Sequence, residues 1–519
     1  MKKSAVYLAL ATSLTCTTAL AVEPVVHSTR TLGSGGGGTT YAHWSAAANY
    51  NPALLGTATG KNSADDAYFI LNFYGRIADT KDDGDSIDAL ESFADDVDAF
   101  EGLDNLDLLE SEISNLQNTI NASNNLIDGL EDIDGAGAQS TIGLNMGFGF
   151  AFESFSLGFN AMAKVDFGGT ANIDENDVDL LRRYTSLGQV LLDDVRPLYD
   201  AAQELEARYL VLEAEAERLR NSGSATQEDI DAAEQAAADA EALFQDAEDL
   251  AEQAKNTEAG ISTEFSDIFD TETQTFNFSE DDLESDARFA AIGWAEVGVT
   301  VGSKWELAND KQLSVGATVK SVRLEFFDYQ TSTSDFDEDD IDGDDYRSSK
   351  DFMTADLGAV LSMDAMDQWR IGVTVKNIVG EEISSRRDTL KENQEPLFYE
   401  VEPQVRVGTS YNGGWYRLAA DLDLTEAKGP TFADGTQFFK GSQYGSLGAV
   451  INAWEFVELR AGYRHNFASD DSQNRTEESD GVITLGAGLY LWAVQFDLAL
   501  QASPELDDVG GGLQAMITF

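Results

Sequence analysis

The sequence has little of the chemistry that most enzymes use. It contains one cysteine and three histidines among 519 residues. The histidines His27, His43 and His465 show no spacing typical of a zinc site or of a nucleophile with its base. An acidic loop at 335–345 only partly resembles a calcium loop, because Ser349 stands where a bidentate glutamate is needed. We therefore expect no enzyme, no cofactor and no metal site.

The cysteine, Cys16, lies in an apolar N-terminal stretch that follows Lys2 and Lys3. This stretch ends at the small residues Ala19-Leu20-Ala21, which is typical of a secretory signal peptide. Residues 1–21 are therefore predicted to be removed on export. The exported chain then has no thiol, which excludes disulfides.

Positive charge is also scarce. The chain has 33 Lys and Arg against 94 Asp and Glu, and its net charge is −61. This balance excludes nucleic-acid binding, which needs clustered basic residues to contact phosphates. The stretches 77–138 and 168–288 alone carry net charges of −17 and −24. The acidity therefore belongs mainly to two segments that differ from the rest of the chain.

Beyond the predicted signal peptide, no run of about 18 apolar residues occurs, so a membrane role would have to use strands. Apolar residues instead alternate with small or polar ones, as in Ile142–Phe152 and Phe155–Phe167, which only Glu153-Ser154 separates. Such alternation predicts half-buried strands. About fourteen strands are predicted, at 66–76, 142–152, 155–167, 292–307, 312–327, 353–363, 368–378, 398–411, 415–424, 443–452, 456–466, 481–490, 494–502 and 510–519. A change of parity near Lys320 and Ser321, which would turn Val319 and Val322 both outward, predicts a β-bulge.

The connections between these strands alternate between tight turns and long loops, which is the connectivity typical of an outer-membrane β-barrel. Tryptophans recur at or beside the tight turns, where an interfacial aromatic girdle is expected. The chain ends in an alternating apolar strand with Phe519 last, as the barrel-assembly machinery is thought to require. The predicted girdle consists of Trp305, Trp369, Trp415, Trp454 and Trp492. A soluble β-sandwich remains the alternative.

Charged residues within the strands are predicted to face the lumen, because a charge on the lipid face costs roughly 2–4 kcal/mol at the midplane. They can form structural ion pairs that fill the lumen, or they can line a conduit for polar or anionic groups. The predicted luminal set is Lys164, Arg370, Lys376, Arg406, Arg417, Asp421, Asp423, Arg460, Arg464 and Asp497.

The acidic segments 77–139 and 168–288 are predicted to be helical insertions on the extracellular side. In the second, apolar residues recur at helical spacing, Pro197 predicts a break or kink, and Thr226 with Asp229 resembles a capping box. The chain is thus expected to be an all-β transmembrane barrel, spanning residues 66–519, with two α-helical insertions.

The segment Asn51-Pro52-Ala53-Leu54-Leu55, preceded by the glycine-rich Gly33–Gly38, resembles the N-terminal plug of FadL-type barrels. That resemblance implies a luminal plug at residues 22–65, with Asn51, Pro52 and Ala53 at a turn beneath the luminal arginines. Gly33, Gly35 and Gly38 also match a nucleotide-binding glycine pattern, but no strand precedes them, so we favour a flexible start of the plug.

Five further segments resemble the outer-membrane TraF-like conjugal transfer family, the β-barrel type rather than the thioredoxin-like proteins of the same name. They are Tyr329–Tyr346, Trp369–Asn377, Glu402–Val405, Asn412–Glu426 and Glu458–His465. The resemblance implies a plugged channel for small or hydrophobic molecules, or a conjugation-associated envelope protein. The alternative is a surface structural or adhesion protein whose barrel anchors the helical hairpins. Outer-membrane lipid, lipopolysaccharide and the assembly machinery are the expected partners.

Overall fold

The computed structural model divides the chain into two compact units, a β-barrel and a helical unit. The barrel unit comprises Met1–Glu91, Ile133–Asn172 and Asp286–Phe519, and the helical unit comprises Ser92–Asp132 and Ile173–Ser285. The predicted signal peptide and much of the first insertion lie outside the described residues. Those described are 26–59, 66–79, 113–134, 137–221, 226–266, 268–270, 275–276, 284–332, 344–364, 366–386, 394–454, 456–469, 481–504, 506 and 508–519.

The first unit is a closed barrel of fourteen antiparallel strands. Each strand pairs with its neighbours along the chain, and the last strand pairs with the first, starting at Tyr68 opposite Thr518. The strands are β1 (Ala67–Asp79), β2 (Gly137–Ala151), β3 (Ser156–Asn172), β4 (Asp286–Glu306), β5 (Gln312–Ser332), β6 (Arg347–Ser362), β7 (Trp369–Lys376), β8 (Gln404–Asn412), β9 (Tyr416–Asp423), β10 (Tyr444–Trp454), β11 (Val457–Asn466), β12 (Gly481–Leu491), β13 (Val494–Ala502) and β14 (Asp508–Thr518).

The fourteen predicted strands are therefore confirmed, although several begin or end some residues away from the predicted bounds, and one prediction merged two strands. The predicted strand 398–411 is two strands, of which only β8 belongs to the barrel. Its first part, Phe398–Val401, pairs instead with Glu381–Ser384 in a separate two-stranded sheet. Pro403 stands at the break, and because proline has no backbone N–H it cannot continue a ladder of hydrogen bonds.

The predicted β-bulge in β5 is wrong. The pairing of β5 runs without interruption along both β4 and β6, so Val319 faces outward and Val322 faces inward. The parity seemed to change because the polarity of the two faces exchanges along the strand. Beyond Lys320, the inward side chains Val322, Leu324 and Phe326 are apolar and buried, whereas the outward side chains Ser321, Arg323 and Glu325 are polar.

Large apolar side chains cover the outer surface of the barrel, as expected of a surface that faces lipid. Ile142, Val297, Leu485 and Leu513 are examples, each at least 60% exposed. The tight turns all lie at one end of the barrel, and the five tryptophans of the predicted girdle are exposed there. At the same end the backbone of Phe519 exchanges two hydrogen bonds with Ala67 and so completes the closure of the barrel.

The helical unit is built from four helices, which confirms the helical prediction for the parts that are described. They are α1 (Ile113–Ile133), α2 (Glu175–Val190), α3 (Arg196–Arg220) and α4 (Gln227–Glu264). A π-helical turn at Leu191–Val195 joins α2 to α3. It precedes Pro197, which has no N–H to donate to the carbonyl four residues back, so the predicted irregularity is present. Among the helices in the described part of the chain, none is both long and apolar enough to cross a membrane.

Helices α3 and α4 pack along a seam of small residues. Ala233, Ala240, Ala247 and Ala254 recur every seventh residue of α4 and are all buried. Tyr209 of α3 contacts Phe244 of α4, with ring centroids 5.2 Å apart. The unit has its own apolar core, formed by Ile120, Leu187, Leu191, Val195, Ile261, Phe265 and Ile268.

The predicted capping box is present at the start of α4. The Thr226 side chain accepts a hydrogen bond from the Asp229 amide, and the Asp229 carboxylate accepts one from the Thr226 amide. We expect Thr226→Ala to destabilise this helix start by about 1 kcal/mol, measured as faster amide hydrogen exchange in its first turn. Gln235→Ala, an exposed change in the helix interior, is the control and should leave that exchange unchanged. Equal exchange in both variants would contradict the role of the cap.

Candidate functional site

The N-terminal segment 26–59 lies inside the barrel and forms a plug. Nearly all of its residues are buried; only Arg30, His43 and Thr57 are partly exposed. It contains two short helices, Thr29–Leu32 and Ala53–Gly56, joined by irregular backbone. Such a segment cannot satisfy its own backbone polar groups, so it depends on the barrel wall for hydrogen bonds.

The plug makes a complete circuit of the wall. It starts at β1, where the Thr29 amide donates to Asn72 Oδ1 at 2.8 Å. It then passes β12, where the Gly35 amide donates to Thr484 Oγ1 at 2.8 Å. At β9, the amides of Gly38 and Thr39 both donate to one oxygen of Asp421, at 2.7 and 2.8 Å. The glycine-rich start of the plug is thus packed against the wall.

The circuit continues through β7 and the strands on the far side. The guanidinium of Arg370 donates to the Thr40 carbonyl at 3.1 Å. The side-chain amide of Asn51 donates to the Thr39 carbonyl at 2.9 Å and lies 3.3 Å from the Val373 carbonyl. Thr59 contacts Ser156 of β3 through their hydroxyls, 3.2 Å apart. The plug thereby returns to the side of the barrel from which it started.

Wall glycines allow the plug backbone to approach closely. Gly302, Gly316 and Gly358 lie directly opposite one another on β4, β5 and β6. A Cβ atom at Gly316 would overlap the backbone of Pro52, and one at Gly358 would overlap the side chain of Asn51. The turn at Asn51 and Pro52 therefore packs against a row of glycines, and Arg370 is a luminal arginine that donates to the plug, at the Thr40 carbonyl. We call Gly302, Gly316 and Gly358 the glycine row.

One ion pair joins the plug to the wall. Arg30 is the only Asp, Glu, Lys or Arg in residues 26–59. Its guanidinium donates to both oxygens of Glu458, at 3.3 and 2.9 Å. Glu458 also accepts a hydrogen bond from Arg460, which in turn is paired with Asp497 at 2.6 Å. The plug is therefore connected to a buried charge network.

A polar cluster lies at the centre of the plug. The Tyr50 hydroxyl contacts the Thr31 hydroxyl and accepts a hydrogen bond from the Ser28 amide at 3.1 Å. It also lies 3.1 Å from His27 Nδ1, whose other ring nitrogen is 2.9 Å from Arg464 Nη1. Burial raises the pKa of Tyr50 well above its usual value, despite the opposing effect of the Thr31 hydrogen bond. The hydroxyl therefore remains protonated over the physiological range.

Most of the predicted luminal charges lie in ion pairs. Lys164 pairs with Asp166 at 2.6 Å, and Arg406 pairs with Asp423 at 2.5 Å. Arg417 differs, since its guanidinium lies over the ring of Tyr41. The inward-facing charged residues placed here by the strand pairing are Lys164, Arg370, Lys376, Arg406, Arg417, Asp421, Asp423, Arg460, Arg464 and Asp497.

A small cavity separates the plug from the wall. Its volume is about 30 Å³. His27, Asn49 and Tyr50 line it from the plug, and Lys376, Arg406 and Tyr444 are among the wall residues that line it. The Lys376 ammonium also donates to the Asn49 carbonyl at 2.8 Å.

An apolar cluster occupies the lumen toward the long loops. Inward residues of β4 and β5, such as Trp294 and Phe326, pack with Leu397, Phe432 and Phe438 from the loops. Arg288 lies within this cluster, paired with Asp328 at 2.7 Å and with its guanidinium over Phe432 and Phe438. We call this group the apolar mouth.

Several residues of the site were not predicted. The role of Arg30 could have been found, because it is the only charged residue in a long uncharged stretch. The glycine row could not, since glycines are common in these strands and only the plug position shows which of them are needed. The acidic positions Glu338, Asp340 and Asp342 of the candidate calcium loop lie outside the described residues. Within the described part of the chain, no group of three or more His, Cys, Asp or Glu could hold a metal ion.

The chain matches one protein-family model, and its fold is similar to those of several solved β-barrel structures. The family model described as "F plasmid transfer operon, TraF, protein" matches residues 48–423. The toluene transporter TodX of Pseudomonas putida is 11% identical, with a TM-score of 0.42, over 96% of this chain and 98% of that one. A FadL homologue of Pseudomonas aeruginosa is 8% identical, with a TM-score of 0.44, over 97% of this chain and 100% of that one. A comparison with curated proteins gives no significant match.

Proposed function

Because this chain belongs to the F plasmid transfer operon TraF protein family, as the sequence predicted, we propose that its barrel is an outer-membrane channel closed by its own N-terminal segment. The observation that carries the proposal is the plug, which is buried along nearly its whole length and contacts the wall on all sides. Fourteen strands enclose a lumen too wide for the side chains of the wall alone to fill, so a separate segment has to close it. A separate segment that is held by one ion pair and by hydrogen bonds, with no covalent cross-link to the wall, can leave.

We propose small hydrophobic molecules as the cargo. The apolar mouth supports this, because a lumen that conducts only polar solutes is expected to be lined by polar groups. Trp294, Leu324 and Phe326 are each no more than 2% exposed although they point inward. Loop side chains cover these residues, and an apolar solute that displaced the loop side chains would contact the same apolar surface.

The remaining parts follow from this assignment. We propose that residues 1–21 direct export, that the tight turns face the periplasm, and that the two helical insertions are extracellular. Outer-membrane lipid and lipopolysaccharide would surround the apolar band, and the barrel-assembly machinery would recognise the strand that ends at Phe519. The five exposed tryptophans would lie at the periplasmic interface.

Uptake by cells that carry or lack the protein tests the cargo. We expect faster uptake of a radiolabelled small apolar solute in cells with the protein, and no difference for a polar solute of similar size. Leu324→Asn in the apolar mouth should reduce the apolar uptake, because it places an amide in the proposed path. Heat-modifiable electrophoretic migration would show that the variant barrel is folded. Equal uptake of both solutes would contradict a hydrophobic cargo.

The ion pair of the plug gives a further prediction. We expect Arg30→Met to increase the fraction of time that the plug is displaced, because Glu458 keeps Arg460 as a partner while the plug loses its only charge. The readout is labelling of a Ser45→Cys plug thiol by a membrane-impermeant maleimide, with Cys16 replaced by serine. A buried thiol reacts only when its segment opens, so labelling should be faster in Arg30→Met. Arg323→Met removes an exposed arginine on the outer face of β5 and should not change the labelling rate.

A further inference from the structure

The cavity between plug and wall is small, with a volume of about 30 Å³. This is enough space for a water-sized occupant. Water or a small ion can occupy it, and the charge of its lining decides between them.

Lys376 supplies the distinguishing charge. It is buried, and its ammonium hydrogen-bonds to a neutral carbonyl, that of Asn49. Among the described residues, no carboxylate lies within ion-pair distance of its Nζ atom. Two other buried lysines on the described barrel strands differ in this respect. Lys164 is paired with Asp166, and Lys320 is paired with both Glu296 and Asp356.

The other residues that line the cavity do not neutralise the charge of the Lys376 ammonium. Arg406 faces the same cavity, but it is already paired with Asp423, the carboxylate among the lining residues. Tyr444 contributes a hydroxyl, and the guanidinium of Arg464 lies over its ring at 4.5 Å. A buried cation without a carboxylate in direct contact is unfavourable, and an anion beside it removes part of that cost.

We propose that this cavity binds one monatomic anion, chloride under ordinary conditions, against the ammonium of Lys376. The anion contacts plug and wall together, because His27, Asn49 and Tyr50 belong to the plug and Lys376 belongs to β7. Binding therefore stabilises the seated plug relative to the displaced one. The site itself does not depend on the proposed transport function.

Bromide tests the site directly, because it replaces chloride and scatters anomalously. Crystals of the full chain soaked in bromide should show a peak beside Lys376 Nζ, and Lys376→Met crystals should show none. A peak in neither protein, or ordered water in its place in the unmodified chain, overturns the proposal. A peak that persists in Lys376→Met would equally show that the ammonium does not hold the ion.

Labelling of the Ser45→Cys thiol tests the coupling to the plug. In chloride the rate should be roughly threefold or more below that in gluconate at equal ionic strength, and Lys376→Met should remove the difference. Lys164→Met is the matched control: its rate can change, but the ratio between the two salts should stay. A chloride-independent rate in the unmodified protein contradicts the coupling. Loss of apolar uptake without loss of the bromide peak would contradict only the transport function.

Discussion

Deleting residues 26–59 is expected to raise the single-channel conductance of the refolded barrel roughly tenfold or more, because a barrel of fourteen strands is too wide for wall side chains alone to fill. The plug is buried irregular backbone inside the lumen, and its removal leaves inward-facing ion pairs facing water. The measurement is current through a planar lipid bilayer, comparing the exported chain with the deletion variant. The intact chain should conduct little.

The deletion needs evidence that the barrel is folded. Heat-modifiable migration and the far-ultraviolet circular dichroism of strands provide it. A folded deletion variant that still fails to conduct would refute the channel, and it would favour the alternative of a surface protein anchored by a filled barrel. Arg30→Met, which keeps the plug in the chain, should show brief openings rather than a permanently open state.

Gly316→Val is expected to displace the plug without deleting it. A Cβ atom at this position overlaps the backbone of Pro52, and the wall is fixed by strand pairing on both sides, so the plug has to move. Overpacking of this kind costs about 1–3 kcal/mol, which corresponds to roughly a 5- to 150-fold increase in the displaced fraction. Faster labelling of the Ser45→Cys thiol measures it, together with a higher conductance.

Gly75→Val is the matched control for this substitution. Gly75 also lies in the middle of a barrel strand, but a Cβ atom there would have no neighbour within 4 Å. The same chemical change should therefore leave the labelling rate and the conductance unaltered. If both variants behaved alike, the effect of Gly316→Val would come from the strand and not from the plug.

The barrel was predictable because each strand carries its own signal. A period of two in the hydrophobic pattern, such as that of Ile142–Phe152, requires only that one face meets lipid and the other does not. The same rule failed at β5, where Val322 is apolar and yet faces inward. Periodicity shows that polarity alternates along a strand, but it does not show whether the apolar face points to lipid or to the lumen. The inward apolar residues of β5 are buried by loop residues that are distant in sequence, and the sequence of β5 does not reveal that contact.

The contents of the lumen were less predictable. That Lys164 and Arg460 face inward follows from the strand pattern, but their partners depend on which strands are neighbours. The plug was predicted from a family resemblance at Asn51-Pro52-Ala53, and its path was not. Whether a given glycine is needed depends on backbone that approaches from a segment hundreds of residues distant, as for Gly486 beside Gly33.

The circuit of the plug also constrains the order of folding. The plug precedes β1 in the chain, and at its start it contacts Asn72 of β1 and Gln514 of β14, the two strands whose pairing closes the wall. These contacts join residues as far as 486 positions apart, and contacts of such long sequence separation form slowly. A plug that contacts strands all round the wall can complete its contacts only when all of those strands are in place. The plug, although it is N-terminal to every strand, therefore reaches its final contacts only when β14 pairs with β1 and closes the barrel around it.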